Sequence, residues 1–163
     1  MQCAVLYVHH TGKANARDKT TDQYSGRGGT LDDTGRFAKV LALKVPWAHS
    51  YADMRPGKTD RERREAYRRA AIENISLTQT NALWWAFRIT VEKAGRPLDV
   101  DNVAKTIIDA FCASQIARDS SSFSQLGLYP DDTFDHVRIL QVVGTRGTSA
   151  DSTFIEVFAR IQE

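Results

Sequence analysis

The sequence predicts an α+β domain in which two main helices pack on one small mixed β-sheet. Two amphipathic helical stripes alternate with segments rich in β-branched and aromatic residues, in the order strand, helix, strand, helix, strand, strand. At 163 residues, with 42% hydrophobic and 26% charged residues, the chain is long enough for one domain with its own core. Elements in this order are expected to form a sheet with the helices packed on it.

The first 35 residues differ in composition from the remainder of the chain. Residues 4–9, AVLYVH, are apolar and suited to an added edge strand, whereas the stretch after them is polar, rich in Gly, Thr and Asp, and without a hydrophobic period. Such a stretch is typical of a loop or mobile segment. The expected organisation is a polar N-terminal extension over residues 1–35 and a folded domain over residues 36–163.

The first half of the domain is predicted to run strand, helix, strand. RFAKVLALKVPW, from Arg36, alternates apolar and polar residues and stops at Pro46, which predicts a strand. Thr59 or Asp60 is placed to cap a helix over RERREAYRRAAIENI, with its arginines opposite its apolar face. That apolar face consists of Ala66, Tyr67, Ala70, Ala71 and Ile75. Residues 82–93, ALWWAFRITVEK, predict the next strand.

The second half is predicted to contain one helix, a long loop and two strands. The helix is expected over residues 101–113, and its apolar stripe consists of Val100, Val103, Ala104, Ile107, Ile108 and Phe111. Residues 114–129 are rich in serine and predict a loop. Two strand-like segments, FDHVRILQVVG and STFIEVFARI, close the chain.

Cysteine spacing and hydropathy exclude several classes of protein. Cys3 and Cys112 lie far apart without a Cys-x-x-Cys spacing, which argues against a zinc site or a disulfide framework. No apolar run approaches the length of a membrane span, and no basic region precedes the apolar N-terminal stretch as in a secretory signal. A cytoplasmic protein with no membrane association is therefore expected.

A basic stretch between Arg55 and Arg69 contains seven Arg or Lys residues against three Asp or Glu residues. It suits contact with a phosphate backbone. A solvated helix face with internal i,i+4 ion pairs would look similar, so both interpretations remain open. The candidates for backbone contact are Arg61, Arg63, Arg64, Arg68 and Arg69.

Acidic residues gather around one lysine in RPLDVDNVAKTIIDAF. Side chains two residues apart in an extended segment point the same way, so Asp99 and Asp101 can face one point where the helix begins. Asp101 is also well placed as the helix N-cap. Because Asp101, Lys105 and Asp109 are spaced by four, they form one line on the helix, with Asn102 beside it.

These acids have a structural and a functional interpretation. In the structural one, Asp101 caps the helix, Lys105 makes exposed i,i+4 pairs worth about 0.3–0.5 kcal/mol each, and Asp131 and Asp132 form a turn after Pro130. In the functional one, converging carboxylates repel one another until a divalent cation binds. All-oxygen ligation without His or Cys suits Mg²⁺ or Mn²⁺ rather than zinc. An adjacent lysine stabilises the negative charge that develops during phosphodiester hydrolysis.

The motif DVDNVAKTIIDAF, followed later by PDD, resembles the signature of the RusA-type Holliday-junction resolvases, a family of endodeoxyribonucleases. That signature is D-x-D-N-x-x-K-x-x-x-D-A at a helix start, then a D-D pair before a strand. Its positions here are Asp99, Asp101, Asn102, Lys105, Asp109, Ala110, Asp131 and Asp132. The resemblance covers roughly residues 37–161, because LALKVPWAHS and REAYRRAAIENI also resemble the family's first strand and first helix.

The resemblance implies a nuclease domain over residues 36–163 that cuts four-way DNA junctions in recombination and repair. It implies that Asp99, Asp101 and Asp132 hold Mg²⁺ or Mn²⁺ and act in catalysis together with Lys105. The supporting residues that it implies are Asn102, Asp109 and Asp131.

It also implies a homodimer, because the opposed strands of a junction need two matched active sites. Such an enzyme would be cytoplasmic and associated with the nucleoid. Two features depart from the family pattern. The loop from Ala113 to Tyr129 is longer than expected, and Arg138 and Arg146 stand where the family often carries a lysine. Both arginines are candidates for phosphate contact.

Two other functions remain open. A non-cleaving protein of the same fold would bind branched DNA without cutting it, although such a protein need not keep the lysine and the full set of acids. Another Mg²⁺-dependent phosphodiesterase would act on a nucleotide or on plain duplex DNA.

Overall fold

In the computed structural model, five strands form one mixed sheet. The structure describes residues 4–9, 37–50, 58–76, 81–147 and 149–161, with the side chains of residues 4–9, 58, 100 and 101 outside this description. The rest of the predicted N-terminal extension therefore lies outside the described residues. The helices and strands occur in the predicted order, and the α+β fold class is confirmed.

The strands are β1 (Ala4–His9), β2 (Phe37–Val45), β3 (Ala82–Lys93), β4 (Val137–Arg146) and β5 (Ser152–Ile161). They lie in the spatial order β1-β4-β3-β5-β2. The β3–β4 pair is parallel and the other pairs are antiparallel, so the sheet is mixed as predicted. Strand β1 pairs with β4 at one edge, which is the position expected for residues 4–9.

The two main helices are α1 (Lys58–Ala71) and α2 (Val100–Ala110). Helix α1 begins before Thr59 and Asp60, so neither residue is its cap. It also ends before Ile75, which instead bridges to Leu41 in β2. In the described part of the chain, no helix is long and apolar enough to cross a membrane.

The serine-rich segment predicted as a loop contains two further turns of helix, α3 (Ala113–Arg118) and a 3₁₀ turn at Ser124–Leu126. That part of the prediction was wrong. Serine is the commonest residue of this segment, but Ile116 and Leu126 are buried and attach it to the main core. Burial of two widely spaced apolar side chains overrides the weak local preference of the residues around them.

The main core lies between the sheet and the helices. Alternate residues of β3 face the helices, and those at the centre of the core are Trp85, Phe87, Ile89 and Val91. Helix α2 supplies Val103, Ala104 and Ile107, and Phe111 follows at its C-cap, as the apolar stripe predicted. The rings of Phe87 and Phe111 pack with their centroids 6.4 Å apart. This packing fixes the opposite face of α2, which carries Lys105, toward solvent.

Candidate functional site

The site begins where the chain enters α2. Asp99 occupies the N-cap position in an extended conformation (φ −71°, ψ 129°), and the helix starts at Val100. The prediction of Asp101 as the N-cap was therefore wrong, because Asp101 lies inside the first turn. Its side chain is outside the described residues. Asn102 donates from Nδ2 to Oδ2 of Asp99 at 3.4 Å, so these two motif residues meet as a pair.

One turn further along α2, Lys105 joins two carboxylates that are remote in sequence. Its Nζ donates to Oδ1 of Asp109 at 2.7 Å and to Oδ2 of Asp132 at 2.5 Å. Asp109 is a neighbour on the helix, but Asp132 lies 27 residues beyond Lys105 in the chain. The structure thus brings the helix motif and the PDD motif together around one ammonium group.

Backbone pairing with the end of α2 places the second acidic motif. Leu128 and Tyr129 run beside the chain at Phe111 and Ala113, where Leu128 N donates to Phe111 O at 3.0 Å and Ala113 N to Tyr129 O at 2.9 Å. The buried Tyr129 hydroxyl donates to Ile108 O at 2.6 Å. Since Asp131 and Asp132 follow directly, their positions depend on this anchor.

A hydrogen bond to the side chain of Asp131 stabilises the turn itself. Asp131 is exposed and accepts a hydrogen bond from the backbone N–H of Asp132 at 3.0 Å. This bond orders the turn and leaves the side chain of Asp132 free to turn toward α2. The supporting role predicted for Asp131 remains a prediction, and this contact gives it a physical basis.

The three charged groups have different environments. Burial lowers the pKa of Lys105, but its hydrogen bonds to Asp109 and Asp132 outweigh this and raise that pKa above its ordinary value. Asp109 is nearly buried, and loss of solvation raises its pKa despite the contact with Lys105. The hydrogen bond from Lys105 lowers the pKa of the more exposed Asp132. Lys105 is therefore held protonated, and Asp132 is held ionised.

The donor chemistry of this region fits a hard divalent cation, because each predicted ligand is a carboxylate. Two acids share Lys105, so the cluster carries one negative charge in excess of its ammonium. Position 101 lies four residues before Lys105 and hence on the same side of α2. Among the side chains that the structure describes, which exclude that of Asp101, no three metal-binding groups lie together. The ligand set of Asp99, Asp101 and Asp132 stays a prediction.

Two of the arginines predicted to contact DNA lie inside the protein. Arg64 and Arg68 are 4% and 0% exposed, and both bind the carboxylate of Asp119. Arg64 donates to both of its oxygens at 2.7 Å, and Arg68 NH1 donates to Oδ2 at 2.8 Å. The expectation that these two arginines face a phosphate backbone was therefore wrong.

Arg68 also joins α1 to the end of α2. Its Nε donates to Ala110 O at 2.7 Å, and its NH2 donates to Asp109 O at 3.5 Å. A cation at a helix C-terminus satisfies the last carbonyls and complements the helix dipole. Arg68 thus stabilises the end of the helix that carries Lys105 and Asp109.

The remaining predicted arginines lie at or near the surface. Arg61 and Arg69 are exposed on α1, and Arg63 is half-buried with NH1 donating to Ser50 O at 3.0 Å. Arg146 is exposed and donates to Gly95 O at 2.5 Å. Arg138 donates to Phe134 O at 3.3 Å. These five do not join the lysine–carboxylate contacts, and their role in phosphate contact stays a prediction.

The sequence contained one signal for the buried arginines that was missed. Arg64, Tyr67, Arg68 and Ala71 follow the i, i+3, i+4, i+7 spacing of a single helix face. The prediction placed all arginines of this helix opposite its apolar face, so the stripe was not recognised. The partner, Asp119, lies in the segment predicted as a serine-rich loop, so its role could not be read locally.

No protein-family model matches this chain, and no curated protein matches it. The resemblance to RusA-type resolvases therefore depends on the spacing of the motif residues.

Proposed function

We propose that this protein is a metal-dependent, structure-selective endodeoxyribonuclease that cuts four-way DNA junctions. The observation that carries the proposal is the pair of hydrogen bonds from Lys105 Nζ to Asp109 and Asp132. It unites the two motifs that resemble the resolvase signature. A lysine held protonated among carboxylates at an accessible surface is suited to phosphate chemistry.

Lys105 is the residue proposed to contact the phosphate. Its side chain is 43% exposed although its ammonium is bound by two acids, so a phosphate oxygen can approach it from solvent. Asp109, 5% exposed, fixes the ammonium from the protein side. In this arrangement Lys105 stabilises the negative charge that builds on the phosphate or on the leaving oxygen.

Asp99, Asp101 and Asp132 would hold Mg²⁺ or Mn²⁺ at the start of α2. The bound cation would supply Lewis acidity at the scissile phosphate. The protein's part is to keep Asp132 ionised through Lys105 and to position the turn through Asp131. Asn102 orients Asp99 from the same helical turn.

Four-way junctions and a homodimer follow from the resemblance rather than from a contact. A junction offers two equivalent strands for cleavage, and a two-fold dimer presents two equivalent sites. Recombination and repair are the processes in which such cleavage serves, which would place the protein with the nucleoid.

The test compares cleavage of a labelled four-way junction, a duplex and a single strand of the same sequence, with Mg²⁺ and with EDTA. Wild-type protein is expected to cut the junction best and only with the metal. Asp101→Asn and Lys105→Ala are expected to bind the junction in EDTA but to cut it far more slowly than the wild type with Mg²⁺. Equal cutting by all three proteins would reject the assignment.

The same assay separates the alternatives. Junction binding without product at any Mg²⁺ or Mn²⁺ concentration would identify a non-cleaving branched-DNA-binding protein. Preferential cutting of the duplex would identify a different phosphodiesterase.

A further inference from the structure

Aromatic rings and arginines alternate across the face of the sheet that lies opposite the helices. Phe37 of β2 and Trp84 of β3 meet edge to face, with ring centroids 5.3 Å apart. The guanidinium of Arg160 lies 5.8 Å from the centre of Phe37, and that of Arg138 lies 5.7 Å from the centre of Trp84. We call Phe37, Arg160, Trp84, Arg138 and Phe134 the aromatic–arginine strip.

Strand register explains why these residues line up. Arg160 of β5 pairs with Phe37 on one side and with Trp84 on the other, so the three form a row across neighbouring strands. The β3–β4 pairing shifts between Trp85 and Ala86, which makes Arg138 an extra residue on β4. A bulge of this kind changes the direction in which a side chain points. Here the extra residue, Arg138, lies over the ring of Trp84.

The strip ends beside the candidate site. Arg138 Nε donates to the carbonyl of Phe134, which ties the exposed turn to the sheet. Phe134 is 53% exposed and stands two residues after Asp132, whose carboxylate binds Lys105. Hydrogen bonds from the N–H groups of His136 and Val137 to Thr133 O order this turn. A large exposed ring is thus presented from the ordered turn that follows Asp132.

The charge of the strip distinguishes between classes of partner. It contains two arginines, whose guanidinium groups lie over the rings of Trp84 and Phe37. Neighbouring Lys39 and Arg88 flank the ring of Phe158, and both bind the buried Glu156. A second copy of the chain would bring like charges together. A nucleic-acid strand supplies phosphates for the guanidinium groups and flat bases for the rings.

We infer that the aromatic–arginine strip binds unpaired DNA, with bases stacked on Phe134 and Trp84 and phosphates at Arg138 and Arg160. The choice of DNA as the ligand rests on the proposed function. Unpaired bases present the π-faces that a continuous duplex conceals, so the strip would select distorted or branched DNA beside the cleavage site. This assigns a substrate-recognition surface outside the acid and lysine residues.

The test measures fluorescence anisotropy of a labelled oligothymidylate in EDTA, so that binding is observed without cleavage. Phe134→Ala and Arg138→Met are each expected to weaken binding roughly 5- to 100-fold, as loss of a stacking or phosphate contact does. Trp84→Phe is expected to keep most of the affinity because it retains a ring. Phe154→Ala is the matched control, since Phe154 is also exposed, on the same face of β5 but at its opposite end.

Wild-type affinity in Phe134→Ala and Arg138→Met would overturn the inference, as would equal losses in the Phe154→Ala control. Sedimentation that shows Trp84→Ala dissociating a dimer would also overturn it by identifying a self-interface. Failure of the proposed function has a different signature. If wild-type protein binds oligothymidylate through the strip but cuts no junction, the inference stands and the nuclease proposal falls.

Discussion

Two clusters of cations and carboxylates adjoin the C-terminal half of α2. The arginine cluster consists of Arg64, Arg68 and Asp119, whose side chains are at most 5% exposed. The lysine cluster consists of Lys105, Asp109 and Asp132, in which Lys105 is 43% and Asp132 is 29% exposed. Arg68 connects the two, because it binds the carbonyls at the end of α2.

The clusters differ in their exposure to solvent and in how fully their acids are bound. In the arginine cluster two guanidinium groups enclose Asp119 and satisfy both of its oxygens, and each also pairs with a second acid of α1, Arg64 with Asp60 and Arg68 with Glu65. In the lysine cluster one ammonium serves two carboxylates, which leaves an excess of negative charge near solvent. A closed, saturated cluster suits a structural role, whereas an open, undersatisfied one suits binding and chemistry.

Removal of Asp119 would test the structural role most severely. Asp119→Ala leaves two buried guanidinium groups without their shared acceptor, and breaking a buried ion pair in this way costs about 3–5 kcal/mol. Urea unfolding followed by tryptophan fluorescence would measure the loss. Asp135→Ala, which removes an exposed aspartate, is the control and should change stability by about 0.5 kcal/mol or less. A loss below about 1 kcal/mol for Asp119→Ala would show that the cluster is not structural.

In the lysine cluster, Lys105→Ala is expected to reduce cleavage strongly and stability only slightly. Cleavage should fall by about 10²–10³-fold, which corresponds to about 2.7–4 kcal/mol of transition-state stabilisation. Stability should change by about 1 kcal/mol or less, because the lysine is partly exposed. Lys93→Ala is the matched control, since Lys93 also pairs with an aspartate, Asp151, but outside the lysine cluster. A loss of stability with unchanged cleavage would show that Lys105 has a structural role and not a role in cleavage.

The sequence predicted the lysine cluster better than the arginine cluster, for a physical reason. Lys105 and Asp109 are joined by helical spacing, which local sequence reveals. Strands at residues 82–93 and 152–161 were likewise predicted with their observed bounds, since each is rich in β-branched and aromatic residues. The contact of Arg64 with Asp119 spans 55 residues and depends on how α3 folds back. The serine-rich composition does not indicate that the chain folds back in this way. Both α3 and the buried contact between Arg64 and Asp119 were therefore missed.

Acid pH should act in opposite directions on two buried carboxylates, Asp119 of the arginine cluster and Asp109 of the lysine cluster. Burial raises the pKa of Asp119, but hydrogen bonds from Arg64 and Arg68 outweigh this and lower it below the ordinary 3.8. Its contribution to stability is therefore present above pH 3.8 and is lost as pH falls through the lower folded-state pKa. Burial raises the pKa of Asp109 above 3.8, so its ionised form is a cost that acidification relieves.

Stability measured from pH 7 to pH 3 in two variants would separate these effects. Asp119→Asn should flatten the loss of stability at acid pH, because it removes a carboxylate that must be protonated. Asp109→Asn should steepen that loss, because it removes the compensating gain. Superimposable pH profiles for wild type and both variants would contradict the assignment of either shift.

The smallest effect is expected from substitutions of the exposed arginines of α1. These substitutions test whether the exposed arginines of this helix contact DNA while the buried ones have a structural role. Arg61→Ala and Arg69→Ala should each change stability by about 0.5 kcal/mol or less, because surface substitutions leave packing intact. If these residues contact phosphate, each substitution should reduce the slope of log affinity against log salt by about 1. Junction binding in EDTA over a salt series would measure it. An unchanged slope would remove α1 from the DNA surface and leave its arginines with structural roles alone, since Arg64 and Arg68 are already committed to Asp119.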